Sequence, residues 1–186
     1  MRIGIDCDGV LRDLIGSVKS SIKKKHPDKY KELKEPDGWT FSQWMPFWNE
    51  DDCEDYIFEE EHKDIFGLAN AYQDALDSWQ ELSGWAKLND YKLVLVSTQR
   101  DNCVGITNSW LSENGFDFCE IHYTKDKWNI DVDVLVDDSP TKLKAFKEKS
   151  INCGIPICFK RSWNKSVQDD YICIDSILDI KGIIDE

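Results

Sequence analysis

Four short apolar runs punctuate the chain, at Arg2–Ile5, Lys92–Val96, Val132–Val136 and Pro156–Phe159, and a fifth candidate lies at Tyr171–Ile174. Runs of this length, with no polar alternation, have the pattern of strands buried on both faces. Helical patterns lie between most of them. Ala71–Leu88 places Ala71, Ala75, Leu76, Trp79, Leu82 and Trp85 close to the 3.6-residue helical repeat, and Val104–Glu113 and Ser139–Lys149 also read as helices. Strands alternating with helices predict an α/β fold, a mainly parallel sheet covered by helices on both faces. In such a sheet the ligand crevice opens beyond the carboxyl ends of the strands, where the strand order reverses.

Residues 14 to 64 do not follow this alternation. They start with an amphipathic, lysine-rich helix at Ile15–Lys25 and continue through the tryptophan-rich stretch from Pro36 to Trp48, punctuated by Pro and Gly. An acidic segment, Glu50–Asp55, and a second helix at about Asp52–Glu60 follow. The expected organisation is a core of residues 1–13 and 65–186 carrying a small helical cap at 14–64.

The chemistry is concentrated at the strand ends. Ile3-Gly-Ile-Asp6-Cys-Asp8-Gly9 delivers two carboxylates at the carboxyl end of the first strand, and Gly9 allows a sharp turn. The second strand ends at Ser97-Thr98, two hydroxyls able to bind a phosphoryl oxygen, and the third at Asp137-Asp138. Each has an ordinary alternative, an Asp-Gly turn or a helix N-cap, and Lys127 alone would be a solvated surface lysine. Together, oxygen ligands and hydroxyls on three strand ends with a lysine nearby make a site for a hard cation and a phosphate. Cys7, between the two acids, points to the opposite side of the strand and is expected in the core. His26, His62 and His122 show no metal-ligand spacing.

Composition constrains what can use such a site. With 41% hydrophobic residues and 8 Trp among 186, the chain can bury a substantial core. Acids exceed bases 36 to 23, a formal charge of −13, which opposes stable binding to nucleic acid or to an anionic membrane. A small anionic ester would need a divalent cation, backbone amides and lysines at the cleft. The seven cysteines form no CxxC pair, no apolar run is long enough to span a bilayer, and the start of the chain reads as a strand. The expectation is a soluble, cytoplasmic protein; a homodimer would leave no legible sign.

In order and spacing, Asp6-x-Asp8-Gly9, Ser97, Lys127 and Asp137-Asp138 resemble the four motifs of the haloacid dehalogenase superfamily. That resemblance implies its three-layer α/β/α core with a small cap inserted after the first strand. More narrowly, Asp6-Cys-Asp-Gly-Val-Leu, Thr124-Lys-Asp-Lys127, Val-Asp137-Asp138-Ser-Pro and Phe159-Lys-Arg-Ser-Trp163-Asn164 look like the 5'(3')-deoxyribonucleotidases, including small bacterial and phage relatives. Arg12, where the relatives more often carry a small residue, and Ser162, where many have Pro, depart from that pattern.

The resemblance implies hydrolysis of (deoxy)nucleoside monophosphates, with Asp6 as nucleophile through an aspartyl-phosphate and Asp8 as general acid and base. The second role calls for neighbouring negative charge around Asp8. It implies magnesium held by Asp6, the backbone carbonyl of Asp8, Asp138 and, through water, Asp137. Ser97 and Lys127 would bind the phosphate, with Thr98, Lys125 and the Gly9 amide in support. Phe41, Trp44 and Trp48 are the candidates for stacking on base or sugar, although most rings of so short a cap must form its own core. Two alternatives stay open: a phosphatase for another small ester or a nucleic-acid 3'-end, and a catalytically idle binding domain with the same fold. Dehalogenation fits less well, because Asp8 supplies an acid that halide departure does not need.

Overall fold

In the computed structural model, which describes residues 1–185, β1 (Arg2–Ile5) lies in the middle of a six-stranded, all-parallel sheet. The others are β2 (Lys92–Ser97), β3 (Glu120–Tyr123), β4 (Val134–Asp137), β5 (Ile155–Phe159) and β6 (Ile172–Ile174), in the order β3-β2-β1-β4-β5-β6. β1 pairs with β2 on one side, Ile3 opposite Leu93, and with β4 on the other, Ile3 opposite Val134. The chain builds outward from β1 in one direction and then restarts at β4 in the other. The strand order therefore reverses between β1 and β4, where a crevice opens at the carboxyl ends.

β3 has no counterpart among the expected strands. Its sequence, Glu-Ile-His-Tyr, has no apolar run, because it is an edge strand with Ile121 44% exposed. Its pairing with β2 is reinforced by the Arg2 guanidinium, which donates two 2.7 Å bonds to the Glu120 carboxylate.

The period-two alternation of the strands sorts the core into two layers. Ile3, Ile5, Leu93, Leu95 and Val136 pack with Trp79 and Leu82 of α6 (Gln73–Leu88) and Ile180 of α9 (Asp179–Ile184). Val94, Val96 and Leu135 pack on Phe146 of α8 (Pro140–Lys149). Asp101–Glu113 forms α7, three residues longer at its start than the apolar pattern suggests. No helix among the described residues is long and apolar enough to cross a membrane.

Between β1 and β2 the chain forms α1 (Leu14–Lys25), α2 (Pro27–Tyr30), α3 (Phe41–Trp44) and α4 (Glu50–Asp55). The second expected helix is not one helix: α4 passes into a π-helical turn, Tyr56–Glu60, and then α5 (His62–Gly67). These elements bury a separate cluster in which Val18, Ile22, Trp44, Tyr56, Ile65 and Phe66 pack together with Cys103 of α7. α5 thus shares its apolar side chains with the insert while leaning on the core.

Candidate active site

β1 and β4 place their acids side by side across the reversal point. The Asp6 amide continues the sheet pairing, donating to the Val136 carbonyl at 3.0 Å, while Asp137 ends β4 and Asp138 follows it. After Asp6 the chain turns tightly, the Cys7 carbonyl accepting from Leu11 and Arg12 amides at 2.8 and 2.9 Å. Gly9 sits in this turn at φ +79°, and a Cβ there would overlap the Asp138 carboxylate, so both the turn and the acid opposite demand glycine. Cys7 is fully buried in the main core, as its place between the acids predicts.

Carboxylate oxygens of Asp6, Asp137 and Asp138 all lie within 4.8 Å of one another, and all three residues are buried. Lys127, 1% exposed, extends its ammonium between two of them, 2.8 Å from Asp6 Oδ2 and 2.6 Å from Asp137 Oδ2. Burial would pull this ammonium down, but Asp137 and Asp6 outweigh that and raise it above the ordinary lysine value. Burial pushes the Asp6 carboxyl up to about 6, with Lys127 opposing and Asp137 adding to the rise. Asp138 is raised as well, by burial first and then by the charges of Asp137 and Asp6. One buried cation thus faces three buried acids. Asp138 Oδ1 has no hydrogen-bond partner at all. A buried all-oxygen set with an unpartnered carboxylate oxygen fits a hard divalent cation such as magnesium.

Other residues hold these acids in place. Asp138 Oδ2 accepts from Trp163 Nε1 at 2.8 Å and its carbonyl from Asn164 Nδ2 at 2.8 Å, while Asp137 Oδ1 accepts from the Ser139 amide at 2.8 Å. Asp137 is therefore held by Lys127 through one oxygen and by the Ser139 amide through the other.

Asp8 lies at the cavity edge, but its neighbours differ from expectation. The nearest charge is a cation: Arg12 donates from Nε to Asp8 Oδ1 at 2.7 Å and from a terminal nitrogen to Oδ2 at 3.1 Å, and Gln99 donates to Oδ2 at 2.6 Å. Gly9 also departs, since its amide donates to the Arg12 carbonyl at 3.0 Å within the turn and is not free for a phosphate. Thr98 spends its hydroxyl proton on the Thr124 carbonyl at 3.0 Å. Ser97, 1% exposed, and Lys125 line the cavity, and the Lys125 carbonyl accepts from Lys142 Nζ at 2.7 Å.

Asp6, Asp8, Asp138, Ser97 and Lys127 open into one cavity of about 750 Å3, whose far wall is formed by Trp39, Phe41, Trp44 and Phe58 of the insert. Trp48, expected at the substrate, does not line it. Its ring packs instead against Tyr56 at 4.7 Å, Phe47 at 4.9 Å and His26 at 5.4 Å, because the insert needs its largest rings for its own core. Arg12, Gln99, Lys142 and the bond from Trp163 to Asp138 were not assigned places in the site from sequence. Two of them carried a signal, Arg12 as a departure from the family pattern and Trp163 as part of the stretch Phe159–Asn164 that resembles the family.

Residues 1–184 match the family described as "5' nucleotidase, deoxy (Pyrimidine), cytosolic type C protein". A protein of Chlorobaculum tepidum described as "Putative 5'(3')-deoxyribonucleotidase" is 21% identical over 174 residues, 90% of this chain and 82% of that one. Among solved structures, a Had-superfamily hydrolase from Ehrlichia chaffeensis superposes with a TM-score of 0.52 at 13% identity, covering 98% of this chain and 95% of that one. L-2-haloacid dehalogenase from Xanthobacter autotrophicus does so with a TM-score of 0.59 at 10% identity, covering 98% and 97%. At such identities these structures speak for the fold, that of the haloacid dehalogenase superfamily. The match over residues 1–184 carries more: the chain belongs to the 5' nucleotidase, deoxy (Pyrimidine), cytosolic type C family of phosphoric monoester hydrolases.

Proposed function

We propose that this protein hydrolyses (deoxy)nucleoside monophosphates with Asp6 as covalent nucleophile, in a magnesium-dependent reaction under a cap formed by residues 14–64. The observation that carries this reading is the buried set of Asp6, Asp137 and Asp138 with Lys127 inserted beside Asp6, at the floor of a cavity with an aromatic far wall. A cavity of about 750 Å3 suits a mononucleotide, whereas a polymer end would call for an open basic groove.

An Asp6 oxygen attacks the phosphorus as the bond to the sugar oxygen breaks, and Asp8 gives that leaving oxygen its proton. A water then attacks the aspartyl-phosphate, losing its proton to Asp8, and the bond between Asp6 and phosphorus breaks to free inorganic phosphate. Ser97 donates to a phosphoryl oxygen. Lys127 screens the repulsion between the Asp6 carboxylate and the incoming phosphate, and Lys125 adds positive charge at the rim. Asp6, Asp138 and the Asp8 backbone carbonyl would hold magnesium, with Asp137 behind them anchoring Lys127; the ion would offset the excess of buried negative charge and neutralise charge on the transferring phosphoryl group. Phe41 offers a ring face to a base, while Trp44, buried in the insert, backs the wall behind it.

The test is phosphate release from deoxy- and ribonucleoside 5'- and 3'-monophosphates, with and without magnesium, beside Asp6→Asn. Magnesium-dependent turnover lost in the variant supports the reading. Turnover of an aryl phosphate alone would leave a phosphatase with another substrate, and inertness on every ester would leave the idle domain.

A further inference from the structure

Arg12 is completely buried, yet its guanidinium has a full set of partners. Besides the two bonds to Asp8, it donates to the Thr107 hydroxyl from both terminal nitrogens at 3.2 Å and to the Phe66 carbonyl at 3.3 Å. The guanidinium carbon lies 4.8 Å from the centre of the Phe66 ring and 5.1 Å from that of Trp110. Phe66 belongs to α5 and Thr107 and Trp110 to α7, so the cation is fixed from two helices before it reaches the acid. Its backbone is equally constrained. Arg12 bridges to Ala71, the Asp13 amide donates to Asn70 and the Tyr72 amide to Leu11, so residue 12 lies where the chain leaves for the insert and returns from it.

Of this network, Asp8 and its partner Gln99 face the cavity; Arg12, Phe66, Thr107 and Trp110 do not line it. Whatever Arg12 does for a substrate passes through Asp8. A planar fork bonded to both carboxylate oxygens sets the rotation of that carboxylate as well as its position, which a lysine at the same place could not do. Burying an arginine this deeply costs stability unless its charge and donors are satisfied, and here every charged contact is spent on Asp8.

We infer that Arg12 is a positioning residue that fixes the Asp8 carboxylate and ties its orientation to the junction between insert and core, where Phe66 and Thr107 hold the guanidinium. The inference rests on the role proposed for Asp8 above. In the reaction the fork keeps Asp8 aimed at the leaving oxygen when its proton is delivered; if the junction shifts, Phe66 and Thr107 move and Asp8 moves with them.

The test compares kcat and KM of the parent, Arg12→Lys and Thr107→Val on a deoxynucleoside monophosphate and on 4-nitrophenyl phosphate, with folding checked by thermal melting. A sugar alkoxide needs a proton to depart and a nitrophenolate does not. Arg12→Lys should lose on the order of a hundredfold in kcat on the nucleotide, the usual effect of misplacing a catalytic group by about an ångström, with KM little changed. For 4-nitrophenyl phosphate kcat/KM, which reports the steps up to departure of the nitrophenolate and not the later hydrolysis of the aspartyl-phosphate, should stay near that of the parent. Thr107→Val, which removes one anchor at nearly constant shape, should shift the same ratio less, and it decides the question if Arg12→Lys does not fold. Equal losses in kcat/KM on both substrates, or a rise in KM alone, would overturn the inference and make Arg12 a structural residue. A parent inert on both would instead bring down the reading on which the inference stands.

Discussion

The ammonium of Lys127 stands 2.8 Å from the carboxylate of Asp6, with both groups withdrawn from solvent. Removing it, as in Lys127→Met, should lower kcat/KM by about a hundredfold to a thousandfold, the usual loss for one charge-assisted contact at a transition state. The variant should also melt earlier, because it leaves Asp6 and Asp137 buried and unpaired. Lys127→Arg should not restore activity, since a compact ammonium, not a planar fork, fits between the two acids. Steady-state assays and melting curves on the three proteins check this; full rescue by arginine would contradict it.

Asp6→Asn should abolish turnover yet stabilise the metal-free protein at neutral pH. Folding raises the Asp6 carboxyl from 3.8 to about 6, so the folded state binds more protons than the unfolded one across that window. Stability attributable to Asp6 therefore falls as pH rises from about 4 to about 6, and the cost is complete above that. In EDTA the variant should have the higher Tm at pH 7 and no advantage below about pH 4. An equal difference between parent and variant at both values would refute the assignment.

Trp163→Phe deletes the 2.8 Å bond to Asp138 Oδ2 while keeping an aromatic ring. Partners that orient a metal ligand are typically worth about 10–100-fold in metal affinity. The magnesium concentration for half-maximal activity should rise by that order, with kcat at saturating magnesium falling much less. A loss of kcat with an unchanged magnesium requirement would show that the indole serves something else.

Phe41 and Trp48 should separate substrate binding from folding, although both belong to the insert. Phe41→Ala removes a ring from the cavity wall and should raise KM for nucleotides, by the roughly 1–3 kcal/mol of a lost stack at most. Trp48→Ala breaks the packing with Tyr56 and Phe47, so it should reduce stability by up to about 3 kcal/mol with KM near that of the parent. If the two variants exchange these effects, the cavity has been assigned to the wrong face of the insert.

Much of the core was legible along the chain because each of its signals is local. A buried parallel strand must be apolar along its length, so β1, β2, β4 and β5 announced themselves, and the acids and hydroxyls at their ends followed. β3 escaped because an edge strand needs no apolar run and is held by the long-range contact between Arg2 and Glu120. The interruption of the second helix of the insert by a π-helical turn was equally invisible, since nothing in the composition of Tyr56–Glu60 demands it.

The sequence by itself determined the α/β class and which strand ends carry the acids, because hydrophobic period and the order of chemical groups are properties of neighbouring residues. Only the tertiary structure decided that Lys127 is buried between Asp6 and Asp137, that the Gly9 amide and the Thr98 hydroxyl are already spent, that Trp48 packs inward, and that Arg12 grips Asp8. Each of these depends on which donor meets which acceptor across elements far apart in the chain. No local pattern encodes such pairings; they are settled when the packed interior requires every buried charge and polar group to find a partner.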